Sequence, residues 1–96
     1  EKISPVEIDD ALLSHPGVIE AVAFGIPDAK YGEVVAAALV LQAGVTSRDV
    51  IDYVREHLAA FKVPTVVYVT NTIPRTPTGK VQRRNVAAAF LEAAAS

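Results

Sequence analysis

Lys80 directly follows Gly79 in the run Pro74-Arg75-Thr76-Pro77-Thr78-Gly79-Lys80-Val81-Gln82-Arg83-Arg84, on a loop stiffened by two prolines that opens onto an alanine-rich helix. A glycine has no Cβ, so the backbone at Gly79 can approach a ligand closely, and the lysine after it brings a compact charge on a flexible stem. Phosphate is the anion that suits this combination. If the helix begins near Gln82 and runs through Ala95, Arg83 and Arg84 lie in its first turn, where the macrodipole opposes cations by about 0.3–1 kcal/mol each. Three cations within five residues make sense there against an anion supplied from elsewhere, or against an acidic patch of a neighbouring domain.

Gly79-Lys80 matches the close of the nucleotide-binding loop G-x-x-x-x-G-K-[ST], but that pattern fails at both ends. Its leading glycine would stand at Pro74 and its magnesium-holding Ser/Thr at Val81. No run of free backbone amides is left to cradle phosphates. For a lone Gly-Lys, a Thr/Pro-rich surface loop with ordinary solvated cations is the plain alternative.

The 96 residues fit one small domain, and 51% hydrophobic with 21% charged residues reads as globular. A net charge of −2 argues against a nucleic-acid binder, since no general excess of cations is available for phosphates. The absence of cysteine excludes disulfides and Cys-based metal sites, and His15 and His57 stand without ligand spacing, so no metal site is expected. No apolar run approaches the length of a membrane span, and no membrane partner is expected. The abrupt start reads as an excised fragment. An intracellular setting, cytoplasm or peroxisome, is the expectation.

The elements that must position the lysine loop follow from periodicity and breakers. A helix is expected over 5–14, with Ser4 and Glu7 as a capping box, Pro5 at its first position, Ile3 and Ile8 as a staple, and Ile8, Ala11, Leu12 and Leu13 inward. His15-Pro16-Gly17 ends it, His15 serving as a C-terminal cation or cap rather than a catalytic base. Strands over 18–24 and 34–41 flank a turn at Pro27-Asp28 and Gly32, a connection that permits antiparallel pairing. The polar Asp28, Lys30, Tyr31 and Glu33 of that loop suit either solvent or a partner domain. Thr46 with Asp49 starts a second helix with Val50, Ile51, Val54 and Leu58 as its apolar face. A third strand spans 65–69, and the last helix carries Val86, Ala89, Phe90 and Ala93 as its packing stripe. The expected class is α+β: a small, three-stranded, mainly antiparallel sheet covered by about three helices.

Pro74-x-Thr76-x-Thr78-Gly79-Lys80-x-x-Arg83-Arg84 resembles the final motif of the adenylate-forming superfamily, which includes acyl-CoA synthetases, luciferases and peptide-synthetase adenylation domains. Three further segments agree in order: Glu1-Lys2-Ile3-Ser4-Pro5-Val6-Glu7-Ile8, the stretch after the interdomain hinge; residues 18–28 with Tyr31-Gly32-Glu33, the central strand pair; and Phe61-Lys62-Val63-Pro64. The resemblance covers nearly the whole chain. Among branches, it is most similar to oxalyl-CoA synthetases.

The resemblance implies a mobile C-terminal domain that works over a large N-terminal domain of the same chain, with ATP, CoA, Mg2+ and a carboxylic acid as the full-length enzyme's cofactors and substrates. It implies that Lys80, held by Thr78 and Gly79, offsets the repulsion between the attacking carboxylate and the α-phosphate. Removing one such electrostatic contact costs on the order of 10²–10³ in rate in other enzymes. In a second pose the segment Lys2, Ile3 and Ser4 would face substrate and CoA, and Lys62 is a weaker candidate for an anion contact. The isolated chain, which lacks the phosphate loop and acyl pocket, is expected to be inactive and to bind no cofactor alone. Two other classes remain: a peptide-synthetase adenylation domain that hands its acyl group to a carrier protein, and an interaction module using Pro74-x-x-Pro77 or an Arg83-Arg84 RNA contact.

Overall fold

Alternation along two strands divides the apolar residues between two cores. The computed structural model describes residues 3–95, with side chains described through Glu92. In it β1 (Val18–Asp28) and β2 (Gly32–Leu41) form a long antiparallel hairpin. Successive side chains point to opposite faces of a strand. Ala21, Ala23, Val35, Ala37 and Leu39 therefore enter one core, and Val22, Phe24, Ile26, Ala36, Ala38 and Val40 enter the other. Val35 to Val40 are buried without a break, as befits a central strand covered on both faces.

The hairpin is longer than the sequence led one to expect. Pairing continues through Pro27↔Glu33 and Asp28↔Gly32, so Pro27 and Asp28 end β1 and the turn falls on residues 29–31. Pro27 is tolerated because β1 is an edge strand. The Asp28 carboxylate accepts the Lys30 and Tyr31 N–H groups at 3.1 and 2.8 Å, the self-bonding that makes Asp a turn residue.

Two helices close the first core. In α1 (Pro5–Leu13) and α2 (Ser47–Val54) the side chains of Ile8, Leu12, Val50 and Val54 are fully buried. The expected cap of α2 is present: Asp49 N–H donates to Thr46 Oγ1 and Thr46 N–H to the Asp49 carboxylate, each at 3.1 Å. The Thr46 backbone bond first, the Thr46 side-chain bond next and the charge of His15 last hold the Asp49 carboxyl below its ordinary pKa, against a small opposing effect of burial.

The cap of α1 differs from expectation. Ser4 has the extended N-cap backbone, yet its side chain makes no capping bond, and Glu7 reaches instead to Lys62 Nζ at 2.8 Å. Ile3 does pack against the core that holds Ile8, whereas Leu13 is 45% exposed rather than inward. His15 Nδ1 accepts Gly17 N–H at 2.9 Å in the turn after the helix, a bond within the turn and not to a helix carbonyl.

β3 (Val66–Val69) lies beside β2 in parallel, in the order β1-β2-β3. Parallel neighbours need a crossover, which α2 and the short 3-10 turn Ala60–Lys62 supply. The sheet is thus mixed, with the antiparallel pair the longer. On its second face α3 (Arg83–Ala95) brings in Val86, fully buried, with Ala87, Phe90 and Leu91 packed alongside. Tyr68 stacks between Phe24 and Phe90, ring centres 6.3 and 5.3 Å away. Ala89, expected in this stripe, is exposed because Ala87 and Leu91 turn inward in its place; Ala93 lies outside the described side chains. The architecture is the α+β arrangement of three helices and three strands read from the sequence.

Candidate functional site

Between β3 and α3 the chain makes a second, tight hairpin. Thr76 C=O accepts Gly79 N–H and Thr76 N–H donates to Lys80 C=O, both at 2.8 Å, closing the chain around Pro77-Thr78-Gly79. Gly79 sits at φ +85, and among the described residues no other type has positive φ. Thr78 therefore keeps a negative φ, which fits a type I turn with Pro77 at its favoured second position and a left-handed glycine bulge after it. A Cβ built on Gly79 would meet nothing within 4 Å. Within the chain, then, glycine is needed there for its backbone angle, not for room.

Side chains complete the hairpin. Lys80 N–H donates to Thr76 Oγ1 at 3.1 Å, and that oxygen lies 3.0 Å from Thr78 Oγ1. Arg75 Nη1 donates to Gly79 C=O at 3.3 Å while its Nη2 pairs with Glu20 on β1. The Lys80 ammonium is exposed and has no partner among the described residues. Its backbone is bound and its charge is free.

The other members of the basic cluster behave differently. Arg83 pairs with Asp9 of α1, Nη2 to Oδ2 at 2.9 Å, with the arginine side chain 33% and the carboxylate 16% exposed. Its Nη1 also reaches the Ala23 carbonyl at 2.6 Å. The expectation that Arg83 awaits an external anion or a neighbouring domain is thereby corrected: a carboxylate of its own domain neutralises it and offsets the unfavourable placement at a helix start. Arg84 is exposed. Lys62, the weaker anion candidate, is taken by Glu7.

Thr78, Gly79 and Lys80 are thus brought together on one hairpin. Ser4 is exposed at the start of α1 and Ile3 is partly buried against the first core; no hydrogen bond among the described residues joins either to the lysine hairpin. Lys2 lies outside the described residues. Sequence reasoning did not single out Arg75, Glu20 or Asp9. Their opposite charges were visible, but the pairs join positions 55 and 74 apart, and no local pattern reports that separation.

Beside the hairpin a groove of about 370 Å³ runs between α1 and β1, lined among others by Leu13, Ile19, Val81 and the paired Asp9 and Arg83. A larger open groove of about 830 Å³, between α2 and β3, contains none of residues 74–84. Among the described residues no three His, Cys, Asp or Glu side chains converge to hold a metal ion.

Comparison with known proteins places these features in context. The family model described as the AMP-binding enzyme C-terminal domain matches residues 7–80, ending on Lys80. An oxalate–CoA ligase of Saccharomyces cerevisiae is 52% identical over 92 residues, 94% of this chain and 17% of that protein. A solved fatty acyl CoA synthetase from Mycobacterium tuberculosis superposes with a TM-score of 0.86 at 34% identity, over 94% of this chain and 18% of that one. An o-succinylbenzoate CoA synthetase from Bacillus subtilis, solved in complex with the acyl-adenylate intermediate, gives 0.82 at 40% identity, over 90% and 18%. The chain spans less than a fifth of the length of each of these relatives.

Proposed function

The chain belongs to the AMP-binding enzyme C-terminal domain family, and we propose that it serves as the C-terminal domain of an ATP-dependent acyl-CoA synthetase, working over a large N-terminal domain of the same protein. The observation that carries this is Lys80: a hairpin holds its backbone at both polar atoms while its exposed ammonium has no partner among the described residues.

A carboxylate attacking the α-phosphate of ATP brings two anions together and builds negative charge as pyrophosphate leaves. A cation held in place beforehand stabilises that charge without reorganising during the step, an effect worth on the order of 10²–10³ in rate per contact. Lys80 supplies the cation. Thr76 and Thr78 hold the hairpin from which it projects, and Gly79 gives that hairpin its turn. In the second half-reaction the acyl-adenylate passes its acyl group to CoA and AMP leaves. Neither carboxylate nor α-phosphate then needs Lys80, and the domain rotates to bring the segment around Lys2, Ile3 and Ser4 toward the site instead. ATP, CoA and the acid are bound mainly by the N-terminal domain, so the isolated chain is inactive. The likeness to an oxalate–CoA ligase favours a small carboxylic acid as substrate.

The test compares the full-length enzyme with its Lys80→Ala variant, following pyrophosphate release with ATP and a panel of small acids, and separately thioester formation from supplied acyl-adenylate and CoA. The expected result is a fall of about 10²-fold or more in the first with little change in the second. Equal rates in both assays would reduce Lys80 to a surface charge. Acyl transfer to a carrier protein in place of CoA would turn the assignment to a peptide-synthetase adenylation domain. The pairing of Arg83 with Asp9 leaves a reading based on an Arg83-Arg84 RNA contact with one free arginine.

A further inference from the structure

We propose that Arg75 and Glu20 are positioning residues for Lys80, an inference that rests on the function proposed above. The peptide group joining Gly79 to Lys80 has two polar atoms, and a side chain holds each. Arg75 Nη1 donates to its carbonyl at 3.3 Å and Thr76 Oγ1 accepts its N–H at 3.1 Å. A peptide group is planar and rigid. Fixing both its ends fixes the plane from which the Lys80 side chain departs.

Thr76 belongs to the hairpin itself, whereas Arg75 ties the hairpin to the sheet. Its second nitrogen pairs with Glu20 on β1, so the guanidinium bridges a rigid strand and the peptide before the lysine. The planar fork gives each acceptor its own nitrogen, in fixed relative geometry. On the far side of Lys80, Arg83 fastens the chain to Asp9 of α1 and to the Ala23 carbonyl of β1. The lysine segment is held to β1 from both flanks, and to α1 from the second. Arg75 and Glu20 are 45% and 30% exposed, and an ion pair so wet contributes little to global stability. Its effect is therefore on direction, and displacement by about 1 Å of a group that must meet a reacting centre can lower a rate about 10²-fold.

The experiment uses the full-length enzyme with Arg75→Ala, Arg75→Lys, Glu20→Gln, Lys80→Ala and the Arg75→Ala/Lys80→Ala double variant, each measured in both half-reactions. Arg75→Ala is expected to lower kcat for pyrophosphate release about tenfold or more with thioester formation within about twofold, because only the first step uses the lysine. Arg75→Lys should recover little, since a single ammonium nitrogen lacks the two separate arms that reach Glu20 and the Gly79 carbonyl. Glu20→Gln should give a smaller loss of the same kind. In the Lys80→Ala background, Arg75→Ala should add less than about twofold, since residues acting through one another are non-additive. Additive losses in the double variant would overturn the proposal, as would equal losses in both half-reactions or an Arg75→Ala enzyme of wild-type adenylation rate. If Lys80→Ala itself leaves adenylation intact, the function assigned to the lysine falls, and the positioning role with it; if Lys80→Ala abolishes adenylation and Arg75→Ala does not touch it, only the positioning role falls.

Discussion

Asp9 and Arg83, 74 positions apart, close around a single residue of the edge strand. The Asp9 carboxylate accepts Ala23 N–H at 2.6 Å, and Arg83 Nη1 donates to Ala23 C=O at 2.6 Å and to the same carboxylate at 3.1 Å. A side chain from each of two helices thus takes the place a neighbouring strand would have at that residue, leaving Ala23 no open edge on which another chain could pair.

Asp9→Ala removes the acceptor for one backbone donor and the partner of a half-buried arginine at once. Breaking a fully buried pair costs about 3–5 kcal/mol; the partial exposure of this one brings the expected loss to about 2–3 kcal/mol. Asp9→Asn, whose amide oxygen can still accept from Ala23, should lose less. Urea unfolding of the chain measures both, and a loss below about 0.5 kcal/mol for Asp9→Ala would show the pair to be ornamental.

Gly79→Ala places a Cβ in open space but at φ +85. The expected loss is that of a left-handed residue, about 1–2 kcal/mol, with Gly79→Asn recovering part of it because Asn tolerates that region. Thermal unfolding of the three variants gives the order Gly, Asn, Ala. An alanine variant as stable as wild type would mean the hairpin is not held in this turn.

Gly17→Ala and Gly25→Ala should part company. A Cβ on Gly17 would stand 2.6 and 2.9 Å from the Val45 methyls, against a residue packed on the first core, and about 1–3 kcal/mol of overpacking is expected. The Cβ on Gly25 meets only the carboxylate end of exposed Glu33, which can swing aside, and alanine in a strand avoids roughly 0.5–1 kcal/mol of glycine's entropy cost. Denaturant midpoints should fall for the first and hold or rise for the second.

Acid should weaken the cap of α2 in a defined direction. The Asp49 carboxyl is held below its ordinary pKa of 3.8, so its contribution is fully present above that value and is lost as pH falls through the lower folded-state pKa. Asp49→Asn should therefore lower stability at neutral pH, and the gap to wild type should narrow as the pH drops below 3.8. A gap that stays constant between neutral and strongly acid solution would contradict the capping box as its source.

Local signals in the sequence were read well where the bond they announce is local. Thr46 and Asp49 form their reciprocal cap. Ser4 and Glu7 carry the same signature and do not, since Lys62 holds Glu7. The three strands and three helices follow from runs of Val, Ile and Ala, but the parallel lie of β3 depends on where α2 carries the chain. The lysine hairpin was visible as Pro77-Thr78-Gly79-Lys80; what fastens it was not, because Glu20 and Asp9 look like any surface acids until the fold brings Arg75 and Arg83 to them. Leu13 and Ala89 fit an inward stripe by spacing alone, yet both are exposed, Ala89 because Ala87 and Leu91 face the core in its place.

The two cores on opposite faces of one sheet divide the molecule's breathing. The α1–α2 face and the α3 face lie on opposite sides of the strands, and the Asp9–Arg83 pair links them around the sheet's edge. Such layers open in separate sub-global steps. The Ala23 amide, shielded by a carboxylate that Arg83 steadies, exchanges its hydrogen with solvent when that edge comes loose. Its exchange rate is a gauge of how often Asp9 of α1 lets go of the sheet's edge.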